Sequence, residues 1–248
     1  MLRMMIKEDL SCYDFSSVKH MTTAGEALNA EVYKQFKRLT GLKIYEGFGQ
    51  SETTMLIGNL KNARLKIGSM GKPAPIYDIE LLGEDGCPVT RGDVGEICVN
   101  IKSGKPCGLF AGYYGDEEKT AEVIKDGYYH TGDTAWQDED GYFWYVGRRD
   151  DVIKSSGYRI GPFEIESVIM ELPYVLECGV SAEPDEVRGQ IVKASVVLVK
   201  GTAESEELKK EIQVYVKEHT APYKYPRKVV FKKELPKTVS GKIKRNML

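Results

Sequence analysis

The chain has 248 residues, 42% of them hydrophobic, enough to bury one large core or two smaller ones. A formal net charge of −2 gives the whole chain neither a nucleic-acid nor a membrane-surface signature. The longest apolar runs, such as Ala194 to Val199 broken by Ser195, are too short to cross a bilayer, and MLRMMIKEDL lacks the apolar stretch of a signal peptide. In chain order, Ala30 to Leu39 sets Val32, Phe36 and Leu39 at helical spacing, with Gly41 where a C-terminal cap belongs. Leu42 to Tyr45 reads as a short strand. Tyr77 to Leu82 and Gly95 to Ile101 read as strands around a Gly83–Gly86 turn, with Ile97, Val99 and Ile101 on one face, and predict a small β-barrel or sandwich-like subdomain. Asp116 is placed to cap a helix reaching Lys125 that buries Ala121, Val123 and Ile124, and Asp126-Gly127 turns the chain back. The five cysteines (Cys12, Cys87, Cys98, Cys107, Cys178) are odd in number and show no C-x-x-C spacing. They read as reduced, mostly buried thiols of a cytoplasmic protein. Three histidines and no His/Cys cluster argue against a transition-metal site.

Two stretches carry chemistry. The first is Glu46-Gly47-Phe48-Gly49-Gln50-Ser51-Glu52-Thr53. Glu52 stands where a dinucleotide fingerprint needs its third Gly, and Thr53 where a hydrolase elbow needs its last, so neither motif is present. What remains suits a nucleotide: a flat face at Phe48, glycines that let backbone N–H groups approach phosphate, the Ser51 hydroxyl, and Glu52 as a hard oxygen ligand for Mg²⁺. Alone, it would be an ordinary glycine-rich turn. The second stretch runs from Tyr128 to Glu166. Asp138 to Gly141 turns the chain, Tyr142 to Val146 reads as a strand, and the charged run after Arg148 separates it from a new strand at Val152-Ile153, as at a hinge between domains. Asp133 could accept two ribose hydroxyls and Arg148 could add a fork of donors to the same sugar or its phosphate, although surface ion pairs are the commoner fate of both residue types.

T-G-D followed by GRRDDVIKSSGYRIGPFEIE resembles the adenylate-forming superfamily of acyl-CoA synthetases, firefly luciferase and peptide-synthetase adenylation domains. The medium-chain acyl-CoA synthetase branch is the nearest, and the resemblance covers essentially the whole chain. It implies a multidomain fold of α/β and α+β parts. Residues 1–149 would be the distal part of the large AMP-binding domain, with its barrel-like subdomain, and residues 150–248 a small mobile α+β C-terminal domain hinged at Asp150. Gly25, Glu26 and Ala27 resemble the G-E-A-L segment that lines the adenine pocket; spacing alone shows a loop feeding a helix. Glu46 to Glu52 resembles the Y-G-x-T-E motif, with Phe48 for Tyr and Ser51 for Thr. It adds Glu46, Gly47, Gly49 and Gln50 to the nucleotide site, as the later motifs add Asp133, Arg148 and Arg159.

Beyond Asp150, Pro162 opens a helix with Ile165, Val168, Ile169 and Leu172 on one face. Val175–Ala182 and Gln190–Val199 read as strands, and Glu204–His219 as a helix burying Leu208, Ile212, Tyr215 and Val216. From Lys217 onward ten Lys or Arg face two Glu, a pattern open to nucleic acid, to a solvated basic face or to a phosphate-rich small ligand. The resemblance, through PDEVRG and TAPYKYPRK, selects coenzyme A and implies contacts from Arg188, Lys217, Tyr225, Pro226 and Arg227. Ser156, Gly157 and Tyr158 would form the thioester-forming face. The last motif, P-K-T-V-S-G-K, resembles the family loop whose lysine, here Lys242, enters the site during adenylation and places a point charge where charge develops.

The implied reaction joins a medium-chain or aromatic carboxylic acid to coenzyme A through an acyl-adenylate made from ATP. One departure is expected to matter. The family's Ser/Thr/Gly-rich phosphate loop has no counterpart before Thr23, so the chain reads as a C-terminal portion, cloned or truncated, inactive alone and prone to self-association through surface the truncation exposes. The alternative is a non-catalytic module that binds nucleotide or CoA, or that depends on a partner chain.

Overall fold

The computed structural model describes residues 2–61, 63–238 and 241–248, with the backbone alone at Arg3 and Met4. The chain divides into two compact units, Met1–Tyr145 and Val146–Leu248.

The first unit opens with α1 (Leu2–Met5), then β1 (Met21–Ala24), α2 (Ala30–Thr40) and β2 (Ile44–Gly49). The side chain of Asn29 caps α2 by accepting from Glu31 N at 2.8 Å and Val32 N at 3.3 Å, and Gly41, at φ 74°, closes it with a bond to Lys37 O. Val32, Tyr33 and Phe36 are buried, whereas Leu39 is 42% exposed, contrary to the spacing; the helix packs on the Leu10–Ile44 cluster through Tyr33 and Phe36. Strands β1 and β2 are parallel, joined through α2, with Ala24 beside Gly47 at their C-terminal ends. In open α/β sheets, ligands gather outside such ends. Antiparallel β3 (Met55–Gly58) and β4 (Lys72–Pro73) complete this sheet in the order β1-β2-β3-β4.

A second sheet holds β5 (Ile79–Leu82), β6 (Gly95–Asn100), β7 (Ile124–Lys125), β8 (Tyr128–Gln137) and β9 (Phe143–Arg148) in the order β5-β6-β8-β7, with β9 also on β8. This is the barrel-like subdomain anticipated from the strand spacing. Its helix α3 (Glu117–Val123) is capped by Asp116 as expected but buries nothing: Ala121 is exposed, and Ile124 begins β7 instead of continuing the helix. Near its turn, Trp136 and Trp144 stack at 5.5 Å and 10°, and Trp144 Nε1 donates to Asp138.

The second unit has a sheet in the order β11-β10-β13-β12, made of β10 (Ile153–Ser155), β11 (Tyr158–Ile160), β12 (Val175–Asp185) and β13 (Gly189–Leu198), with β14 (Lys228–Phe231) parallel to β13. Helices α4 (Pro162–Ile169) and α5 (Glu206–His219) cover it. Pro162 stands in the first turn of α4, and Ser205 Oγ accepts from Leu208 N at 3.1 Å to start α5. Ile153, Ile160, Ile165, Ile169, Ile212 and Val216 are completely buried in the core. Each such side chain contributes about 1.5–3 kcal/mol.

Arg245 ties the end of this unit together. Its Nη2 and Nε donate to the two oxygens of Glu166 at 2.8 and 3.1 Å, and Nη1 to Asp151 at 3.2 Å. Much of the basic excess is matched by acids of the same unit: Lys224 to Glu164, Lys228 to Glu183 and Lys237 to Glu177. All five cysteines are free, but only Cys98 and Cys178 are buried. The expectation of mostly buried thiols fails because Cys12 ends an exposed 3₁₀ helix and Cys87 and Cys107 lie in exposed turn segments.

Candidate functional site

In the first unit the C-terminal ends of β1 and β2 bring Gly25, Glu26 and Ala27 near the Glu46–Gly49 segment. Glu46 is 7% exposed, and its Oε1 accepts from Leu28 N at 2.9 Å, fixing the loop that carries Gly25 to Ala27. Burial pushes this carboxyl up to about 8, against the lowering effect of the Leu28 bond. Gly49 has no tolerance for a side chain, because a β-carbon there would lie 2.5 Å from Thr54 O. Phe48 is half-buried, its ring 6.4 Å from that of Tyr145.

A hydrogen bond joins Gln50, just after β2 of the first sheet, to Asp133 on β8 of the second, across 83 residues of sequence. Gln50 Nε2 donates to Asp133 Oδ2 at 2.6 Å and to Thr131 O at 2.9 Å, while Gln50 Oε1 accepts from Tyr129 OH at 2.6 Å. Tyr145 OH donates to Asp133 Oδ1 at 2.9 Å. Asp133, only 5% exposed, is therefore held at both oxygens. Ser51 is exposed beside this group. Glu52 Oε1 accepts from Tyr113 OH at 2.8 Å, and its backbone O accepts from Phe110 N at 2.7 Å. Sequence reasoning missed Tyr113, Tyr129 and Tyr145, which orient the expected residues; aromatic strand positions gave no sign that their hydroxyls would converge.

In the second unit, β10 and β11 form a hairpin in which Ser155 opposes Tyr158. The two turn residues, Ser156 at φ 50° and Gly157 at φ 84°, both occupy the left-handed region that a tight primed turn requires. A β-carbon at Gly157 would meet nothing within 4 Å, so the turn is open to its surroundings. Arg188 is bound to this turn twice: its carbonyl accepts from Ser156 N at 3.1 Å, and its Nη1 donates to Ser156 Oγ at 3.2 Å. Tyr158 stacks on Tyr223 at 4.0 Å and 13°. Arg227 lies 4.9 Å over the Tyr225 ring and donates to its hydroxyl at 2.9 Å, Lys217 Nζ stands 6.0 Å from the same ring, and Pro226 O accepts from Gln213. Arg159 is exposed on β11 opposite Lys154. Arg148 and Asp150 are exposed at the 3₁₀ turn Arg149–Asp151 that leads out of β9.

Lys242 sits on a different loop. Thr238 N donates to Lys242 O at 2.8 Å, Lys242 N donates to Thr238 Oγ1 at 3.0 Å, and Lys237 bridges Ile243, so a small hairpin presents the exposed lysine. Val239 and Ser240 of the P-K-T-V-S-G-K motif lie outside the described residues. Among the described residues, no hydrogen bond joins Lys242 to the Ser156–Gly157 turn. Asp133 and Arg148 fall in different units.

The sequence also hid one cluster. Glu96, Cys98 and His130 offer ligand atoms within 4.8 Å of one another, although no short spacing of His and Cys announces them.

Known proteins resemble this chain along its whole length. Residues 1–114 match the model of the AMP-binding enzyme family, and residues 164–242 match that of the AMP-binding enzyme C-terminal domain. "Acyl-coenzyme A synthetase ACSM3, mitochondrial" of Mus musculus is 51% identical over 99% of this chain, which spans 43% of that relative's length. The anthranilate CoA ligase AuaEII in complex with anthranoyl-AMP is similar at a TM-score of 0.90 and 33% identity, covering 99% of this chain and 47% of that one. A benzoate CoA ligase from Burkholderia xenovorans LB400 gives 0.80 and 35%, covering 91% and 44%. No helix among the described residues is long and apolar enough to cross a membrane. A Gln-and-Tyr-locked aspartate on one unit, an open glycine turn and a hairpin lysine on the other, and two family models in register along the sequence make this chain a member of the adenylate-forming, AMP-binding enzyme family.

Proposed function

We propose that the protein carrying this chain is an AMP-forming acid–CoA ligase acting on a medium-chain or aromatic carboxylic acid. The observation that carries the reading is the fixed Asp133, held by Gln50 and Tyr145 beside the half-buried Phe48. In this reading Phe48 and the Gly25–Ala27 loop hold the adenine. Asp133 and Arg148 take the ribose, with Arg159 near the nucleotide. Mg²⁺ would neutralise charge on the phosphates, with Glu52 supplying a carboxylate oxygen. Glu52 fits that task, since Tyr113 engages only one of its oxygens among the described contacts and Mg²⁺ is ordinarily held by one or two carboxylates plus phosphates and water.

The carboxylate oxygen of the acid attacks the α-phosphorus of ATP, the bond to the β-phosphate oxygen breaks, and pyrophosphate leaves. Lys242 supplies a cation to the charge that develops there. In the second step the thiol sulfur of coenzyme A, losing its proton, attacks the acyl carbon and AMP departs. Ser156, Gly157 and Tyr158 would border the pantetheine arm, while Arg188, Lys217 and Arg227 meet its phosphates. Asp150 would be the hinge between two arrangements of the same small domain. Cysteines outside disulfides fit a reducing compartment, either the cytoplasm or the mitochondrion for which the mouse relative is named.

The test joins this chain to the N-terminal portion of the mouse relative and follows pyrophosphate and thioester with ATP, Mg²⁺, CoA and a panel of acids from butyrate to decanoate and benzoate. Acid-dependent release of pyrophosphate and formation of acyl-CoA are expected. AMP and CoA binding by this chain without turnover in the chimera would favour the non-catalytic module, and absence of both binding and turnover would overturn the reading.

A further inference from the structure

Strand β6 places Glu96 and Cys98 two residues apart, and the antiparallel register sets His130 of β8 directly opposite Cys98. Side chains at i and i+2 share a face, and a directly opposed residue shares it too, so three donor types meet at one point of the barrel-like sheet. His130 Nδ1 lies 3.5 Å from Cys98 Sγ and 3.2 Å from Glu96 Oε2. One ion bonded at about 2.0–2.3 Å to N, O and S ligands sets tetrahedral neighbours about 3.3–3.8 Å apart. The two distances from Nδ1 match those of a ligand set, and all three donor atoms lie within 4.8 Å of one another.

Three further facts point the same way. Cys98 is completely buried and Glu96 is 8% exposed, so a thiolate and a carboxylate there would balance a doubly charged cation within the sheet. Glu96 is already oriented, since its Oε1 accepts from Gly132 N at 2.9 Å. His130 also lines a cleft of about 460 Å³ with Glu80, Lys102 and Tyr128, so the ring of the cluster borders solvent-sized space.

We infer that Glu96, Cys98 and His130 form a binding site for one divalent transition-metal ion of the zinc class, separate from the Mg²⁺ and nucleotide groups of the proposed reaction. The mixed N, S and O donors select a borderline cation over Mg²⁺. Because Gly132 precedes Asp133, an occupied site would fix the strand that carries the ribose-binding carboxylate.

The experiment strips this chain with a chelator and titrates it with Co²⁺, which reports a thiolate ligand through a charge-transfer band and four-coordination through intense visible transitions. Serine replacements at the exposed Cys12, Cys87 and Cys107 remove competing thiols and are expected to leave the signal intact. One equivalent should bind, Cys98→Ala should abolish the charge-transfer band, and Glu96→Gln, which keeps an acceptor for Gly132, should weaken binding at least tenfold. Absence of the band, its survival in Cys98→Ala, or unchanged affinity in Glu96→Gln would each overturn the assignment, leaving only cross-strand hydrogen bonds. Should Cys98→Ala fail to fold, circular dichroism will show it and the Glu96→Gln affinity decides.

Discussion

The two units carry their site residues in opposite ways. In the first, Gln50, Asp133, Tyr129 and Tyr145 form a closed set of hydrogen bonds, and Glu46 is buried under its loop. In the second, Ser156, Gly157, Tyr158, Arg159 and Lys242 are all exposed, on a tight turn, a strand edge and a hairpin. The first arrangement suits a ligand held in place through a reaction, since orienting groups that are already fixed need no reorganisation. The second suits groups that must approach and leave. Substitutions in the first unit should therefore alter folding and ligand affinity together. Those in the second should alter rates and leave folding alone.

The sharpest exception to that contrast is Arg245, a locked residue on the open side. Glu166→Leu strips it of two bonds and leaves the buried Val180 N–H without its acceptor, while Arg245 keeps Asp151 and stays 20% exposed; it should destabilise the second unit by about 3 kcal/mol, read by urea denaturation. A loss under 1 kcal/mol would mean that the bidentate pair contributes little. Next is Lys242→Ala, placed in the chimera with the relative's N-terminal portion. Removing one aimed charge should slow adenylation by about 3 kcal/mol, more than a hundredfold, with an unchanged melting temperature. Thioester formation from ready-made acyl-adenylate should be spared. Equal loss in both half-reactions would remove the division of labour between Lys242 and the Gly157 turn.

Glu46 tests the closed side through pH. Its native pKa of about 8 lies above the ordinary 4.5, so the native state keeps a proton that the unfolded state releases. The stability this contributes is fully present below about pH 4.5 and is lost as pH rises toward 8, with no further loss above that. Denaturation midpoints of the chain should fall across this window, and Glu46→Gln should flatten the fall. A slope that Glu46→Gln leaves intact would assign the titration elsewhere. Gln50→Leu leaves Tyr129 and Asp133 each short of a partner, at about 2 kcal/mol, and should weaken AMP binding in parallel. Gly157→Ala comes last. Its β-carbon meets open space, so only the left-handed backbone costs energy, about 1 kcal/mol. Gly157→Leu should add a block to thioester formation with pyrophosphate release retained.

What the sequence revealed was local. Gly41, Asp116 and Pro162 declare helix ends through their own hydrogen bonds or fixed backbone, and the Ser156-Gly157 turn is written in two adjacent residues. The resemblance supplied most of the candidate site, and its residues are spread over both units, with Lys242 on a hairpin apart from the Ser156-Gly157 turn. What stayed hidden depends on register. Cys98 meets His130 only because β6 and β8 align as they do, with an irregularity between Glu96 and Cys98 that no periodicity foretells, and Gln50, just after β2 of the other sheet, meets Asp133 of β8 only through tertiary packing. Leu39 misled for a related reason: spacing defines a face of α2, but the neighbours decide how wide the covered stripe is.

The stacked tryptophans have a practical consequence. Trp136 and Trp144 are the only two in the chain, and both belong to the first unit. Emission excited at the red edge of indole absorption therefore reports the melting of that unit alone, while the far-ultraviolet signal follows both. If the units unfold separately, the two curves will part company, and the optical lag between them measures how independently each half of the chain holds its shape.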